Sequence, residues 1–187
     1  MKLLLTSSGL ETDTILRTFV SLLEKPCKEI RALFIPTAAI DADSIEVLPK
    51  CMHDLLRCGI SKENIDVFDL HEGMNLASLT RYDAVYLTGG RTAYLLSRLR
   101  DTGFAETLLA YLENGGVVLG VSAGSLIFAE NLENNLGLLP TDLRVHCAQD
   151  NPRGKLSLPL PAQFDLGNHS AILMRSREDM ELISDIE

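Results

Sequence analysis

A serine flanked by glycines is the clearest chemical feature of this sequence. The run GVSAG at 120–124 fits the pattern G-x-S-x-G and follows an apolar run at 116–121. In such a strand-to-helix turn the serine hydroxyl stands clear of the backbone, and the next N–H group faces any oxyanion that forms. We therefore predict Ser122 as a nucleophile with a positive φ angle and Ala123 as an oxyanion donor. A glycine-rich turn whose serine only caps a helix is the alternative.

A second glycine-rich turn follows another apolar run. Residues 82–90 end in Gly89 and Gly90, and Arg91 and Thr92 then open an amphipathic stretch. Its backbone N–H groups can converge with those of the serine turn if the two strands are neighbours in a parallel sheet. This turn therefore predicts a second oxyanion donor. An arginine at the mouth of the site suits recognition of a carboxylate.

The elements that must position these turns follow from hydropathy. Strands are expected at 2–7, 30–37, 65–70, 82–90 and 116–121, and helices at 13–25, 43–58, 92–100 and 104–113. Apolar strands that alternate with amphipathic helices predict an α/β fold with a doubly wound, mostly parallel sheet flanked by helices. After about residue 131 the sequence becomes rich in loops, and residues 170–184 predict a C-terminal β-hairpin. One domain over 1–187 is expected.

Composition argues against several classes of partner. The net charge is −9 and Lys and Arg are not clustered, which argues against binding of nucleic acid. No apolar run approaches the roughly 20 residues of a membrane span, so no membrane partner is expected. The apolar run in MKLLLTSS is too short for a signal peptide, whose core has about 7–15 residues. A cytoplasmic protein is therefore expected.

The cysteines favour reduced thiols over metal ligands or disulfides. They lack CxxC spacing and stand at Cys27, Cys51, Cys58 and Cys147. Cys51 and Cys58 share a face of the predicted helix that His53 does not, so no metal site is predicted. His53 and His71 are expected to be solvated.

A family resemblance joins these motifs. A strand ending in Gly-Gly-x-Thr, paired with a later strand ending in G-x-S-A-G, resembles the dipeptidase E-like serine peptidases. These include aspartyl dipeptidases and, more distantly, cyanophycinases. The resemblance is carried by FIPTA (34–38), LTGGRTAYLL (87–96), GVSAG (120–124), RVHC (144–147) and NHSAIL (168–173). It implies the fold of class I glutamine amidotransferases and a hydrolase, since an amidotransferase would carry cysteine in place of Ser122.

The resemblance also implies roles for individual residues. Ser122 would be the nucleophile and His146 its base, while the N–H groups of Gly90 and Ala123 would form the oxyanion hole. Asn168 stands nearest the position of the family's carboxylate, and an asparagine can also orient an imidazole. The residues assigned to substrate binding are Gly89, Arg91 and Thr92.

Alternatives stay open for the base, its orienting residue and the cation. His169 is a rival base, with Asp165 or Glu178 as its partner. Asp142 is a rival orienting residue for His146. The other cations that could meet a carboxylate are Arg144 and Arg153.

The expected function is hydrolysis of small peptides through an acyl-enzyme on Ser122, with dipeptides that begin with Asp as candidate substrates. This chemistry requires no metal or organic cofactor. The second interpretation is a weak or inactive family member that binds a small anion or nucleotide at the glycine-rich turns. The sequence leaves a homodimer open.

Overall fold

Five parallel strands form the centre of the molecule. The computed structural model describes residues 1–186, and in it these strands take the order β3-β2-β4-β5-β1 within an eight-stranded sheet. The strands are β1 (Lys2–Thr6), β2 (Ala32–Ile35), β3 (Ile65–Val67), β4 (Ala84–Leu87) and β5 (Val117–Val121). Every residue of β2, β4 and β5 is buried, as expected for strands with helices on both faces. The predicted mostly parallel α/β sheet is confirmed.

The later strands extend this sheet and add a small second one. They are β6 (Asp142–Cys147), β7 (Gly154–Lys155), β8 (Gln163–Gly167), β9 (Ala171–Met174) and β10 (Met180–Ile183). β9 pairs antiparallel with β1, and β10 pairs antiparallel with β9 and β7. β9 and β10 form the predicted C-terminal hairpin. The parallel pair β6–β8 is a separate sheet that the hydropathy pattern does not predict.

Seven helices connect and cover the strands within residues 1–186. They are α1 (Asp13–Leu22), α2 (Ala42–Glu46), α3 (Leu48–Arg57), α4 (Leu76–Leu79), α5 (Thr92–Asp101), α6 (Phe104–Glu113) and α7 (Ala123–Leu126). The single helix predicted over 43–58 is wrong, because it divides at Val47. Pro49 lies in the first turn of α3, where its missing N–H is tolerated but where it stops a helix from running through. None of these helices is long and apolar enough to cross a membrane.

The two faces of the sheet bury separate apolar cores. Leu3 and Leu5 of β1 point into the core beneath α5 and α6, whereas Leu4 points into the core beneath α1 and α3. This alternation is the period of two that a strand imposes on its side chains. The sheet is therefore fixed from both sides, and the carboxyl ends of β1, β4 and β5 meet at one edge.

Candidate active site

Ser122 lies at this edge, directly after β5, in a strained backbone conformation. Its φ is 50° and its ψ is −109°, a region that residues with a Cβ rarely occupy. The Ser122 N–H donates to the carbonyl of Thr6 at 3.0 Å, which ties the turn to β1. The α7 helix that follows is a single turn. Stabilisation of negative charge at its N-terminus would therefore come from free N–H groups rather than from the dipole of a long helix.

The glycines on either side of Ser122 are required by close backbone contacts. A Cβ on Gly120 would lie 2.4 Å from the carbonyl oxygen of Gly124, and a Cβ on Gly124 would lie 2.4 Å from that of Leu87. Neither position can hold a larger residue unless the backbone moves. The G-x-S-x-G spacing is thus explained by a sharp turn packed against the neighbouring strand β4.

A buried serine that the sequence reasoning missed supports the turn from below. Ser125 is fully buried, and its hydroxyl lies 2.8 Å from the carbonyl oxygens of Thr6 and Gly120. The same hydroxyl accepts the Thr6 N–H at 3.0 Å. The only sequence signal for this role is a polar residue inside the apolar stretch that follows the motif.

His146 faces Ser122 from the small sheet. The Ser122 hydroxyl donates to His146 Nε2 at 3.0 Å. His146 has a φ of 58°, and the β6–β8 register shifts between Arg144 and Cys147. Such a bulge re-aims a side chain that a regular strand would point elsewhere. The local irregularity of β6 therefore brings the imidazole to the serine.

Asn168 lies on the other side of the imidazole, after β8. His146 Nδ1 lies 3.2 Å from Asn168 Oδ1, and because an amide oxygen can only accept, a hydrogen bond here places the ring proton on Nδ1 and leaves Nε2 as the acceptor that faces Ser122. Asn168 Oδ1 also accepts hydrogen bonds from Ser8 Oγ at 2.7 Å and from Ser7 Oγ at 3.2 Å. The sequence reasoning missed both serines. Their signal is a polar pair at the end of β1, the strand beside β5.

The two predicted oxyanion donors belong to turns that meet at Ser122. A Cβ on Gly89 would lie 3.2 Å from the Ser122 Cβ, so the two turns are packed together. Gly90 has a φ of 136°, and a Cβ there would lie 2.0 Å from the Ala38 carbonyl oxygen. In the part of the chain that the structure describes, no backbone carbonyl accepts the N–H of Gly90 or Ala123. Both groups remain the predicted oxyanion donors.

A cleft of about 380 Å³ opens above the serine. Its walls include Ser122, His146, Gly89 and Gly90, together with Ser7, Ser8, Val47, Cys51, Val121 and the polar or charged residues Asp41, Asp43, Ser44 and Lys50. Lys50 is paired with Glu11 outside these walls. The cleft thus joins the nucleophile to both acidic and basic side chains.

The predicted cation and its neighbour lie just outside the cleft walls. Arg91 Nε donates to Asp41 Oδ2 at 3.0 Å, so its charge has a carboxylate partner. Hydrogen bonds from Ser44 and then from Arg91 lower the pKa of the Asp41 carboxyl. Thr92 is half-buried at the first position of α5.

His169, the rival base, has a different partner from those considered. Its Nδ1 lies 2.8 Å from Asp150 Oδ2, and its backbone N–H donates to the other oxygen of the same carboxylate at 2.8 Å. The hydrogen bond and charge of Asp150 raise the pKa of His169. Asp165 is paired with Arg144 instead. The serine's hydrogen bond goes to His146.

The other residues considered in the sequence analysis have their own positions or partners in the structure. Asp142 is exposed at the start of β6, whereas His146 Nδ1 lies 3.2 Å from Asn168 Oδ1 and 3.4 Å from Ser8 Oγ. Arg153 lies 3.8 Å from a carboxylate oxygen of Glu181. Cys51 and Cys58 are buried free thiols, and burial raises the pKa of Cys58 to about 12.

The fold resembles that of solved peptidases over almost its whole length. A protein from Listeria monocytogenes EGD-e assigned as a peptidase E matches with a TM-score of 0.71 at 22% identity, covering 96% of each chain. A peptidase from an acI-B1 Actinobacterium matches with a TM-score of 0.65 at 17% identity, covering 98% of this chain and 87% of the other. The chain therefore has the fold of peptidase E.

Sequence comparison then identifies the family. The model of peptidase family S51 matches residues 3–138, and the chain belongs to this family. Peptidase E of Streptomyces coelicolor is 31% identical over 136 residues, which are 65% of this chain and 53% of the relative. An uncharacterized peptidase of Listeria monocytogenes is 31% identical over 102 residues, 53% of this chain and 48% of the relative. The chain thus spans about half the length of these curated relatives. The matched family segment ends before His146 and Asn168.

Proposed function

We propose that this chain is a serine-type peptidase that hydrolyses small peptides through an acyl-enzyme on Ser122. The observation that carries the proposal is the 3.0 Å hydrogen bond from the strained Ser122 to His146 Nε2. Membership of peptidase family S51 supports the same reaction class. A serine held in this conformation beside an imidazole nitrogen suits nucleophilic attack better than it suits a helix cap.

The reaction would follow the order that the hydrogen bonds allow. His146 Nε2 takes the Ser122 proton as the oxygen attacks the peptide carbonyl, and the N–H groups of Gly90 and Ala123 stabilise the resulting oxyanion. His146 then protonates the leaving amine, and water hydrolyses the acyl-enzyme with His146 as base. Asn168 keeps the proton on Nδ1, so that Nε2 is free to accept one.

The cleft supports small substrates and bears both signs of charge. A volume of about 380 Å³ is in the range of small-molecule sites and suits a dipeptide better than a folded protein. Lys50 in the wall and Arg91 beside it are the cations for an Asp side chain, whereas Asp43 suits an ammonium group. We propose dipeptides that begin with Asp as the first substrates to test.

Binding of a small anion without catalysis is less well supported. A phosphate at the glycine-rich turns would share the cleft with the carboxylates of Asp41 and Asp43. A binding site would also gain nothing from the strain at Ser122, which costs on the order of 1–3 kcal/mol.

A dipeptide library tests the proposal. We expect the wild type to release amino acids from some dipeptides and Ser122→Ala to lose at least about 10³-fold in turnover. The control is Ser97→Ala, which removes an exposed serine on α5 that hydrogen-bonds Asp101, and which should hydrolyse like the wild type. Equal hydrolysis by Ser122→Ala, or none by the wild type across the library, would contradict the proposal.

A further inference from the structure

Ser7 is a fully buried hydroxyl that links the backbone of His146 to the side chain of Asn168. Its Oγ accepts the N–H of His146 at 2.6 Å, at a residue whose φ of 58° is itself strained. The Ser7 hydroxyl hydrogen then donates to Asn168 Oδ1 at 3.2 Å. One buried hydroxyl therefore contacts both the backbone of His146 and the residue that faces its Nδ1.

An asparagine can face an imidazole in two ways, and the two have opposite consequences. With Oδ1 towards His146, the ring carries its proton on Nδ1 and Nε2 can accept the Ser122 proton. With the amide NH₂ towards the ring, Nδ1 must accept, the proton moves to Nε2, and the base is lost. A carboxylate has an oxygen in either position, so this choice arises only with asparagine.

Ser7 distinguishes between the two orientations. In the flipped orientation the NH₂ group would face Ser7, and its buried hydroxyl hydrogen would lose the acceptor that Oδ1 provides. A buried donor without an acceptor is costly. Ser8, whose Oγ also donates to Oδ1 at 2.7 Å, is only partly buried, so water can satisfy its hydroxyl in either orientation of the amide.

We propose that Ser7 is a positioning residue that sets the amide orientation of Asn168 and thereby selects the tautomer in which His146 acts as a base. Although Ser7 belongs to the cleft wall, its side chain is fully buried, and in this proposal it acts through Asn168 rather than on the substrate. The kinetic consequence of this inference rests on the proposed function, whereas the tautomer itself does not.

The tautomer is measured by ¹⁵N NMR of the histidine rings at a pH where His146 is neutral. In the wild type we expect the proton on Nδ1, and in Ser7→Ala a mixture in which most rings carry it on Nε2, as a tenfold loss of the competent tautomer requires. A wild-type ring protonated on Nε2 would overturn the proposal without any variant. This readout is independent of peptidase activity, so it separates failure of the inference from failure of the proposed function.

A double-mutant cycle gives the kinetic test. Ser7→Ala should lower kcat/KM about tenfold, mainly through kcat, in the wild-type background. In the Asn168→Asp background the same change should cost less than about twofold, because a carboxylate cannot present the wrong group. Ser7→Thr, which keeps a hydroxyl, should restore the Nδ1 proton.

A merely structural role for Ser7 would give a different result. Equal losses from Ser7→Ala in both backgrounds, with the ring still protonated on Nδ1, would overturn the proposal. The matched control is Ser184→Ala, which removes another buried serine hydroxyl, one that accepts the Ile186 N–H at 3.1 Å after β10. It should alter thermal stability without changing the His146 tautomer.

Discussion

The two halves of the site come from regions that are built differently. Ser122 and the Gly89-Gly90 turn extend from strands buried inside the parallel sheet, and their positions are set by backbone contacts. His146 and Asn168 extend from the two-stranded β6–β8 sheet, and side-chain hydrogen bonds to Ser7 and Ser8 hold them against the end of β1. The family match covers the first region and ends at residue 138, before the second.

This difference shows which part of the site the fold makes robust. The positions of Ser122 and of the proposed oxyanion donors Gly90 and Ala123 require only that the parallel strands pack and that glycines stand at the close contacts. The base and its orienting residue depend on a bulge, a positive φ and a few hydroxyl groups. Substitutions of the closely packed glycines should therefore affect folding in the first region, and substitutions around His146 should affect chemistry in the second.

The largest effect on turnover should distinguish between His146 and His169, the two histidines considered as the base. His146→Gln should lower turnover by about 10³-fold or more, because it removes the group that accepts the Ser122 proton. His169→Gln is the matched control and should leave turnover unchanged, since His169 is paired with Asp150. Steady-state rates on a cleavable dipeptide show which histidine is the base. A loss of turnover in His169→Gln alone would reverse the assignment.

The next effect concerns folding of the parallel region. Gly120→Ala should lower the free energy of unfolding by about 2 kcal/mol or more, because its Cβ would meet the Gly124 carbonyl oxygen at 2.4 Å. Gly154→Ala, at β7, places its Cβ in open space and should stay within about 0.5 kcal/mol of the wild type. Denaturant unfolding of both variants measures the difference. Equal stabilities would contradict the claim that close backbone packing fixes the turn at Ser122.

A smaller effect concerns the orienting residue. Asn168→Asp should raise turnover several-fold, because a carboxylate stabilises the imidazolium that forms during attack. Asn168→Ala should lower it about tenfold, since the Nδ1 partner is lost. If both variants hydrolyse at the wild-type rate, Asn168 does not orient the base, and Asp142 becomes the next residue to change.

The smallest effect concerns a buried carboxyl beneath the cleft. Asp54 is 4% exposed and accepts hydrogen bonds from the Leu10 N–H at 3.1 Å and the Tyr86 hydroxyl at 2.9 Å. Burial raises the pKa of Asp54, and the charge of Glu11 raises it further. An acid with a raised folded-state pKa contributes stability at low pH, and this contribution is lost as pH rises through the folded-state pKa.

The variant Asp54→Asn tests whether ionisation of Asp54 lowers stability as pH rises. The amide keeps an acceptor for both donors and cannot ionise, so the variant should gain a few degrees in Tm relative to the wild type at pH 7.5. The gain should shrink as pH falls towards the unfolded-state pKa of about 3.9, because the wild-type carboxyl is then protonated in the folded state and increasingly protonated in the unfolded state. A Tm difference that grows as pH falls would contradict the raised pKa.

The sequence predicts the parallel region better than the irregular one for a physical reason. Apolar strand runs and glycine pairs are local signals, so strands β1 to β5 and the serine turn could be placed directly. Pro49 also carried a local signal for the break between α2 and α3 that the single-helix prediction overlooked.

The second region depends on contacts between residues far apart in the chain. His146 and Asn168 were assigned through a family resemblance, because no periodicity indicates that β6 turns towards Ser122. The buried Ser7 lies 139 positions from His146, and the Asp150 partner of His169 was not considered at all. Such pairings follow from tertiary packing, which a single sequence does not display.

The central claim is that Ser122 is an activated nucleophile, and labelling by a fluorophosphonate probe tests it most directly. The wild type should acquire one label, which mass spectrometry places on Ser122, and Ser122→Ala should acquire none. His146→Gln should react far more slowly, because the hydroxyl loses its base. A wild-type protein that stays unlabelled, or that is labelled at another residue, would contradict the account.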